Sequence, residues 1–265
     1  MKKKNIIGMI PSRMGSTRFP GKALATIYGI PMIGHVYFRS KMSKLLDDVY
    51  ILTPSKEIMD YADSIGAKWI KDGKKEYRGC SNATADATIE IEKRTGKKID
   101  VAVMIQGDEP MIVPKMIDMA TKPMLKDSSI NVVNLMAPIR SEEEHNDPNC
   151  PKVVVDVNNF ALYFSREPIP SKKKWAGGSY PKYKQVCIMP FARDFLIKFS
   201  KMRPTPMELV ESIDMNRALE HGYGVKMVLE NEETYCVDTP DDLKRVERHM
   251  NDDRLIEKYA PKKSS

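Results

Sequence analysis

The chain has 265 residues, 42% of them hydrophobic and 30% charged, with a formal charge of +7. No apolar stretch approaches the ~20 residues of a membrane span, and the run after Lys2–Lys4 is broken by Pro11 and Arg13, so membrane insertion and export are not expected and a cytoplasmic protein is. The excess charge gathers at Lys2–Lys4, Lys172–Lys174 and Lys262–Lys263, where solvated surface accounts for it; without interleaved aromatic and basic residues or zinc-finger spacing, nucleic acid is not an expected partner.

In chain order, the apolar run Ile6–Ile10 opens into IPSRMGSTRFPGK, a short segment with three cations (Arg13, Arg18, Lys22) and two glycines. Glycines let a backbone approach a ligand closely, and the cations offset a polyphosphate's charge. The order is neither that of a P-loop nor GxGxxG. Its bland rival is an ordinary basic loop after a strand.

Further apolar runs at Val49–Leu52, Lys68–Ile70 and Val101–Ile105 alternate with helical-length segments at Met32–Lys44, Ile58–Ile65 and Ala83–Lys93. Short continuous apolar runs suit strands covered on both faces, so the first half predicts a doubly wound, mostly parallel α/β sheet. Such sheets bind ligands at the carboxyl ends of their strands. The basic loop and the QGDEP segment after Ile105 both fall at that edge.

Asp108 in QGDEP would place a carboxylate beside a triphosphate, which is repulsive unless a cation lies between them. Magnesium takes oxygen from carboxylates and phosphates together, which makes Asp108 the first candidate metal ligand.

From Val132 to about Arg193 the chain reads as β-rich, with strands at Asn131–Ala137, Lys152–Val157, Phe160–Ser165 and Gln185–Phe191; the second and third form a hairpin turned at Asn158 and Asn159. Pro206–His221 then reads as one helix stopped by Gly222, Lys226–Leu229 as a short strand, and Val237–Met250 as a helical segment entered through Asp238, Thr239 and Pro240. By itself Asp238 is either the cap of that helix or a second metal carboxylate. The expected organisation is a nucleotide-binding core of residues 1–130 and 222–257, a smaller subdomain at 131–221 and a frayed tail at 258–265. Four scattered cysteines and no CxxC pair point to reduced thiols rather than a disulfide or zinc framework, and the four histidines to structural roles.

The segments IPSRMGSTRFPGKAL, MIQGDEPMI, DPNCPKVVVDVNNFALYFSREPIP and VDTPDDL together resemble the 3-deoxy-manno-octulosonate cytidylyltransferases, or CMP-Kdo synthetases, in identity and order along nearly the whole chain. The resemblance implies a Rossmann-like nucleotidyltransferase fold whose β-rich subdomain carries the sugar site and a homodimer contact. It implies CTP and a sugar acid as substrates, pyrophosphate as product, and lipopolysaccharide or another surface polysaccharide as the destination. Carried over, Arg13 and Lys22 hold the triphosphate, and Arg18 the phosphates or the sugar carboxylate. Pro11 and Ser12 border the base, Ser81 and Gln106 line the nucleotide, and Asp108 with Asp238 binds Mg2+. The sugar side is assigned to Arg18, Gln106, Arg166, Gln185, Glu211 and Asp214.

The sequence departs from the family at three places. RGCSNATAD stands where HxSGT[DE]R is usual, Gln185 stands in place of a histidine, and Met215 in place of a glutamine. Activation of an amino-substituted Kdo or a nonulosonic acid therefore stands beside activation of Kdo. A metal-dependent glycosyltransferase using a nucleotide sugar is a further alternative.

Overall fold

The computed structural model describes residues 3–72, 79–233 and 235–260. The chain forms two compact units, one of Met1–Asp118 and Thr234–Ser265, the other of Met119–Glu233.

In the first unit, β1 (Ile6–Pro11) is followed by the minimal ribbon β2 (Thr26–Ile27) and β3 (Ile30–Pro31), then α1 (Met32–Lys41), β4 (Asp48–Thr53), α2 (Lys56–Ser64), β5 (Lys68–Lys71), α3 (Cys80–Thr95) and β6 (Val101–Ile105). The larger strands are parallel, in the order β5-β4-β1-β6. Every residue of β6, and all of β1 except Pro11, is buried, as strands covered on both faces require. The chain lays β4 and β5 on one side of β1 and β6 on the other, so the order reverses between β1 and β6. Their carboxyl ends flank a topological switch point, where open α/β sheets place ligands.

Helix α4 (Pro114–Lys126) carries the boundary after Asp118. The second unit contains β7 (Val132–Pro138), α5 (Glu142–Asn146), β8 (Lys152–Val155), β9 (Ala161–Ser165), β10 (Tyr183–Val186) and β11 (Ile188–Ala192). It continues with α6 (Arg193–Lys201), α7 (Pro206–Glu211), α8 (Met215–Glu220) and β12 (Val225–Leu229). Here β10 and β11 run antiparallel to β7, while β8 and β9 form the expected hairpin. The fully buried Lys152 donates from Nζ to the carbonyls of Asp147 and Arg166, which ties down both ends of that hairpin.

Several expectations change in detail. Gln185–Phe191 is interrupted at Cys187, giving β10 and β11. Pro206–His221 is two helices, because Ser212 takes a left-handed conformation at φ 53° and Asp214 starts the next helix. That break turns Ile213 into the interior, where it is 4% exposed. The strand β12 pairs in parallel along β7 from Val225 to Leu229, so residues 222–233 fall in the second unit and not with the core. The helix at the end is α9 (Pro240–Met250), followed by a short turn at Ile256–Lys258. The expected fraying from residue 258 does not hold at Tyr259: its hydroxyl contacts His35 Nδ1 at 2.8 Å and accepts from Arg39 Nε at 2.9 Å, and its ring stacks on Phe38. Residues 261–265 lie outside the described residues. No helix among the described residues is long and apolar enough to cross a membrane.

Candidate active site

The basic loop begins where β1 ends. Ser12 N–H donates to the Leu52 carbonyl at 2.8 Å and Met14 N–H to Ser55 Oγ at 3.1 Å, which anchors the loop on β4 and the residues after it. It then folds back on itself, with the N–H groups of Ser16 and Gly21 both donating to the Met14 carbonyl. Gly21 makes that return possible at φ 75°, a region closed to most side chains. Lys22 follows in a single 3-10 turn, Lys22–Leu24.

The QGD turn meets this loop from β6. A Cβ on Gly107 would lie 3.1 Å from the Pro11 carbonyl oxygen and 3.4 Å from Ser12 Cβ. Glycine therefore lets the two strand ends approach and brings Asp108 to the loop. The third segment arrives from the far end of the chain: Val237 N–H donates to the Asp108 carbonyl at 2.9 Å. Val237 is buried with Ile27, Met32, Val246 and Met250, and Phe19 packs on the same cluster. Apolar burial thus fixes the position of its neighbour Asp238.

Thr239, not Asp238, caps α9. The Thr239 hydroxyl accepts from Asp242 N–H at 3.2 Å, and the Asp242 carboxylate accepts from Thr239 N–H at 2.9 Å, a reciprocal capping box. The Asp238 carboxylate is left to face the loop.

At the convergence, Lys22 Nζ donates to Asp108 Oδ2 at 2.9 Å, Asp238 Oδ1 at 3.0 Å and the Val237 carbonyl at 3.0 Å. The lysine side chain is 15% exposed and the two carboxylates 21% and 20%, so solvent screens these pairs only in part. Burial disfavours the charge on Lys22, but Asp108 and then Asp238 outweigh it and hold the ammonium above the ordinary lysine value. Arg18 adds an ion pair to Asp238 at 2.9 Å from a half-exposed position. Arg13 is exposed on the same loop, and Gln106 is half-buried between β6 and the turn.

Asp108 Oδ1 is buried with no hydrogen-bond partner. Carboxylate oxygens of Asp108 and Asp238 and the sulfur of Cys236 lie within 4.8 Å of one another. An orphaned carboxylate oxygen beside a second carboxylate is a donor set that suits a hard divalent cation, so these residues fit magnesium. Cysteine spacing does not single out Cys236, although it stands two residues before Asp238, the spacing that puts side chains on one face of an extended chain. Its residue is exposed, yet desolvation of the thiol, and then the charges of Asp108, Glu109 and Asp238, push it well above the ordinary thiol range.

Ser81 lies in the first turn of α3, fully buried, its hydroxyl without a partner. Arg78, which begins the divergent segment, lies outside the described residues.

The remaining sugar-side candidates belong to the second unit. Glu211 accepts from Tyr163 Oη, Ser165 Oγ and Arg166 N–H, each at 2.8 Å. Desolvation opposes its ionisation, but these hydrogen bonds hold it below the usual carboxylate range, while desolvation and Glu211 push Tyr163 up to about 12. The Arg166 guanidinium donates to the carbonyls of Pro148, Glu211 and Ser212. Arg166 and Glu211 thus brace β9 against α7. Asp214 starts α8. Gln185 Nε2 donates to Asn134 Oδ1 at 2.6 Å, and the Asn134 amide nitrogen is itself committed to the Leu135 and Val186 carbonyls.

The chain has counterparts among known proteins. The cytidylyltransferase family profile matches residues 7–248. The 3-deoxy-manno-octulosonate cytidylyltransferase of Geobacter sulfurreducens is 39% identical over 252 residues, covering 91% of this chain and 98% of that protein. The enzyme of the same name from Pelobacter propionicus is 40% identical over 249 residues, covering 90% and 94%. A solved CMP:2-keto-3-deoxy-manno-octonic acid synthetase in complex with CTP superposes with a TM-score of 0.82 at 30% identity, covering 94% of this chain and 99% of that one. The α/β architecture, the basic loop returning on Gly21 and the matches over almost the full length agree: this chain is a nucleotidyltransferase and belongs to the cytidylyltransferase family, alongside the 3-deoxy-manno-octulosonate cytidylyltransferases.

Proposed function

We propose that the chain couples CTP to a 3-deoxy-2-ketoaldonic acid, Kdo or a close relative, giving the CMP-sugar and pyrophosphate. The observation that carries this reading is Lys22 held between Asp108 and Asp238, because it gathers a cation and two carboxylates at the sheet's switch point. Full-length similarity to enzymes named for this reaction supports it.

The reaction joins the anomeric 2-hydroxyl oxygen of the acid to the α-phosphorus of CTP. The bond from that phosphorus to the bridging oxygen breaks, pyrophosphate leaves, and the hydroxyl proton passes to solvent. Asp108 and Asp238 would hold magnesium; when bound, it neutralises phosphate charge and makes a coordinated hydroxyl more acidic. Lys22 brings a fixed positive charge to the triphosphate end, and Arg13 and Arg18 project from the same loop to offset charge on the departing pyrophosphate. Pro11 and Ser12 border the cytosine. In the second unit, the network of Glu211 and Arg166 orients the groups that meet the sugar acid.

One observation favours an amino-substituted Kdo as a second reading. Since Asn134 takes the amide nitrogen of Gln185, the carbonyl oxygen of Gln185 remains as an acceptor suited to a hydroxyl or an ammonium donor. A homodimer in the cytoplasm, serving surface polysaccharide synthesis, completes the proposal. The exposed Leu209 and Val210 of α7, 68% and 76% accessible, are side chains a second copy would cover.

A pyrophosphate-release screen tests the reading by crossing four nucleoside triphosphates with Kdo, its 8-amino analogue and nonulosonic acids in magnesium. Release with CTP and one of these acids is expected; release with none of them would overturn it.

A further inference from the structure

Donors of two kinds meet at the end of β6. The sulfur of Cys236 and one oxygen each from Asp108 and Asp238 all lie within 4.8 Å of one another. Donors to one divalent ion stand at roughly 2.0–2.5 Å from it, so two of them are separated by no more than about 4–5 Å. The triangle already has the size that one ion closes. Asp108 also keeps one carboxylate oxygen, Oδ1, buried without a hydrogen-bond partner, an acceptor left unsatisfied on one of the three donor residues. Among the described residues, no other cysteine joins such a group of three donors.

We propose that Cys236 is a third metal donor, and that Asp108, Asp238 and Cys236 together take a thiophilic divalent cation of the cobalt and zinc class more tightly than magnesium. This rests on the functional reading only in taking Asp108 and Asp238 as metal ligands. Two carboxylates alone make a hard oxygen site, whereas a thiolate shifts preference toward softer ions that bind nitrogen and sulfur well. On binding, the S–H bond of Cys236 breaks, the sulfur gives an electron pair to the ion, and the proton leaves to solvent. The Lys22 ammonium, which now bridges the carboxylates, is the positive charge that the ion replaces between them. The enzyme would thereby sense thiophilic metals at the position its own reaction uses.

The test is a cobalt titration of the metal-stripped, full-length protein followed by optical absorption. A near-ultraviolet sulfur-to-cobalt charge-transfer band saturating at one cobalt per chain is expected. Cys236→Ser should abolish the band and weaken cobalt binding by about tenfold or more, since even outer-shell changes at metal sites cost that much. Cys236→Asp should abolish the band but keep tight binding, which separates loss of the sulfur from loss of the fold. Cys80→Ser, Cys150→Ser and Cys187→Ser should each retain the band. A wild-type protein without the band, or a Cys236→Ser variant that keeps it, overturns the proposal. Magnesium-supported pyrophosphate release by the wild type reports on the functional reading separately. Release without the band sinks the sulfur donor alone, and a band without release sinks the reading alone.

Discussion

The main-chain N–H of Val237 donates to the carbonyl of Asp108 across 2.9 Å. That bond joins a segment near the end of the chain to the turn after β6, and it sets the Asp238 carboxylate beside that of Asp108. Like charges placed so close need a cation, and Lys22 supplies it.

Lys22→Met should therefore act twice. The carboxylates lose their shared counterion, so the melting temperature of the metal-free variant should fall, and added magnesium should restore part of the loss by binding the native state. Turnover should fall by about 100-fold or more even in saturating magnesium, because a preorganised charge is gone. Calorimetry with and without magnesium, together with steady-state kinetics, checks both effects.

Gly107→Ala tests the approach of the two strand ends. Its methyl would meet the Pro11 carbonyl oxygen at 3.1 Å and Ile33 Cδ1 at 3.3 Å. Backbone cannot yield as a flexible side chain does, so the variant should lose roughly 1–3 kcal/mol in denaturant unfolding. Displacement of Asp108 should also raise the magnesium concentration needed for half-maximal activity.

His35 makes stability depend on pH. Its Nε2 meets the Ile27 carbonyl at 2.9 Å; a carbonyl only accepts, so the proton sits on Nε2, and Nδ1 accepts from Tyr259. Desolvation is the main reason its pKa falls from 6.5 to about 4. Between those values the unfolded chain binds a proton that the folded one does not, so stability is full above pH 6.5 and declines as pH falls toward 4. At about 1.4 kcal/mol per unit the loss amounts to ~3 kcal/mol. Urea unfolding across this window should show the slope, and His35→Gln should flatten it.

Glu211→Gln keeps the shape of the Tyr163, Ser165 and Arg166 network but removes its charge. The KM for the sugar acid should rise severalfold with little change in that for CTP, since Glu211 lies on the second unit and the triphosphate residues on the first. Equal increases in both constants would contradict its role in orienting the sugar side.

Much of the site was legible because its parts are local. The basic loop and QGDEP each follow an apolar strand, and parallel topology alone carries both to one edge. Other features depended on contacts distant in sequence. VDTPDDL leaves Asp238 as cap or ligand, and the reciprocal bonds of Thr239 and Asp242 show only that the cap is Thr239. Ser212 breaks a pattern that reads as one helix because burial of Ile213 outweighs local propensity. Tyr259 sits in a stretch that reads as a tail, and its anchors, His35 and Arg39, lie at the other end of the sequence. Cys236 gave no signal by cysteine spacing, since its fellow donors are carboxylates.

The central claim is that Asp108 and Asp238 act together to hold the ion on which pyrophosphate release depends. The direct measurement is pyrophosphate release from CTP and Kdo, titrated with magnesium, by the wild type, Asp108→Asn, Asp238→Asn and the double variant. Each single variant should lose at least about 100-fold, and the double variant little more than either alone, as for groups that act as a unit. Near-wild-type release by either single variant, or losses that multiply in the double variant, would contradict it.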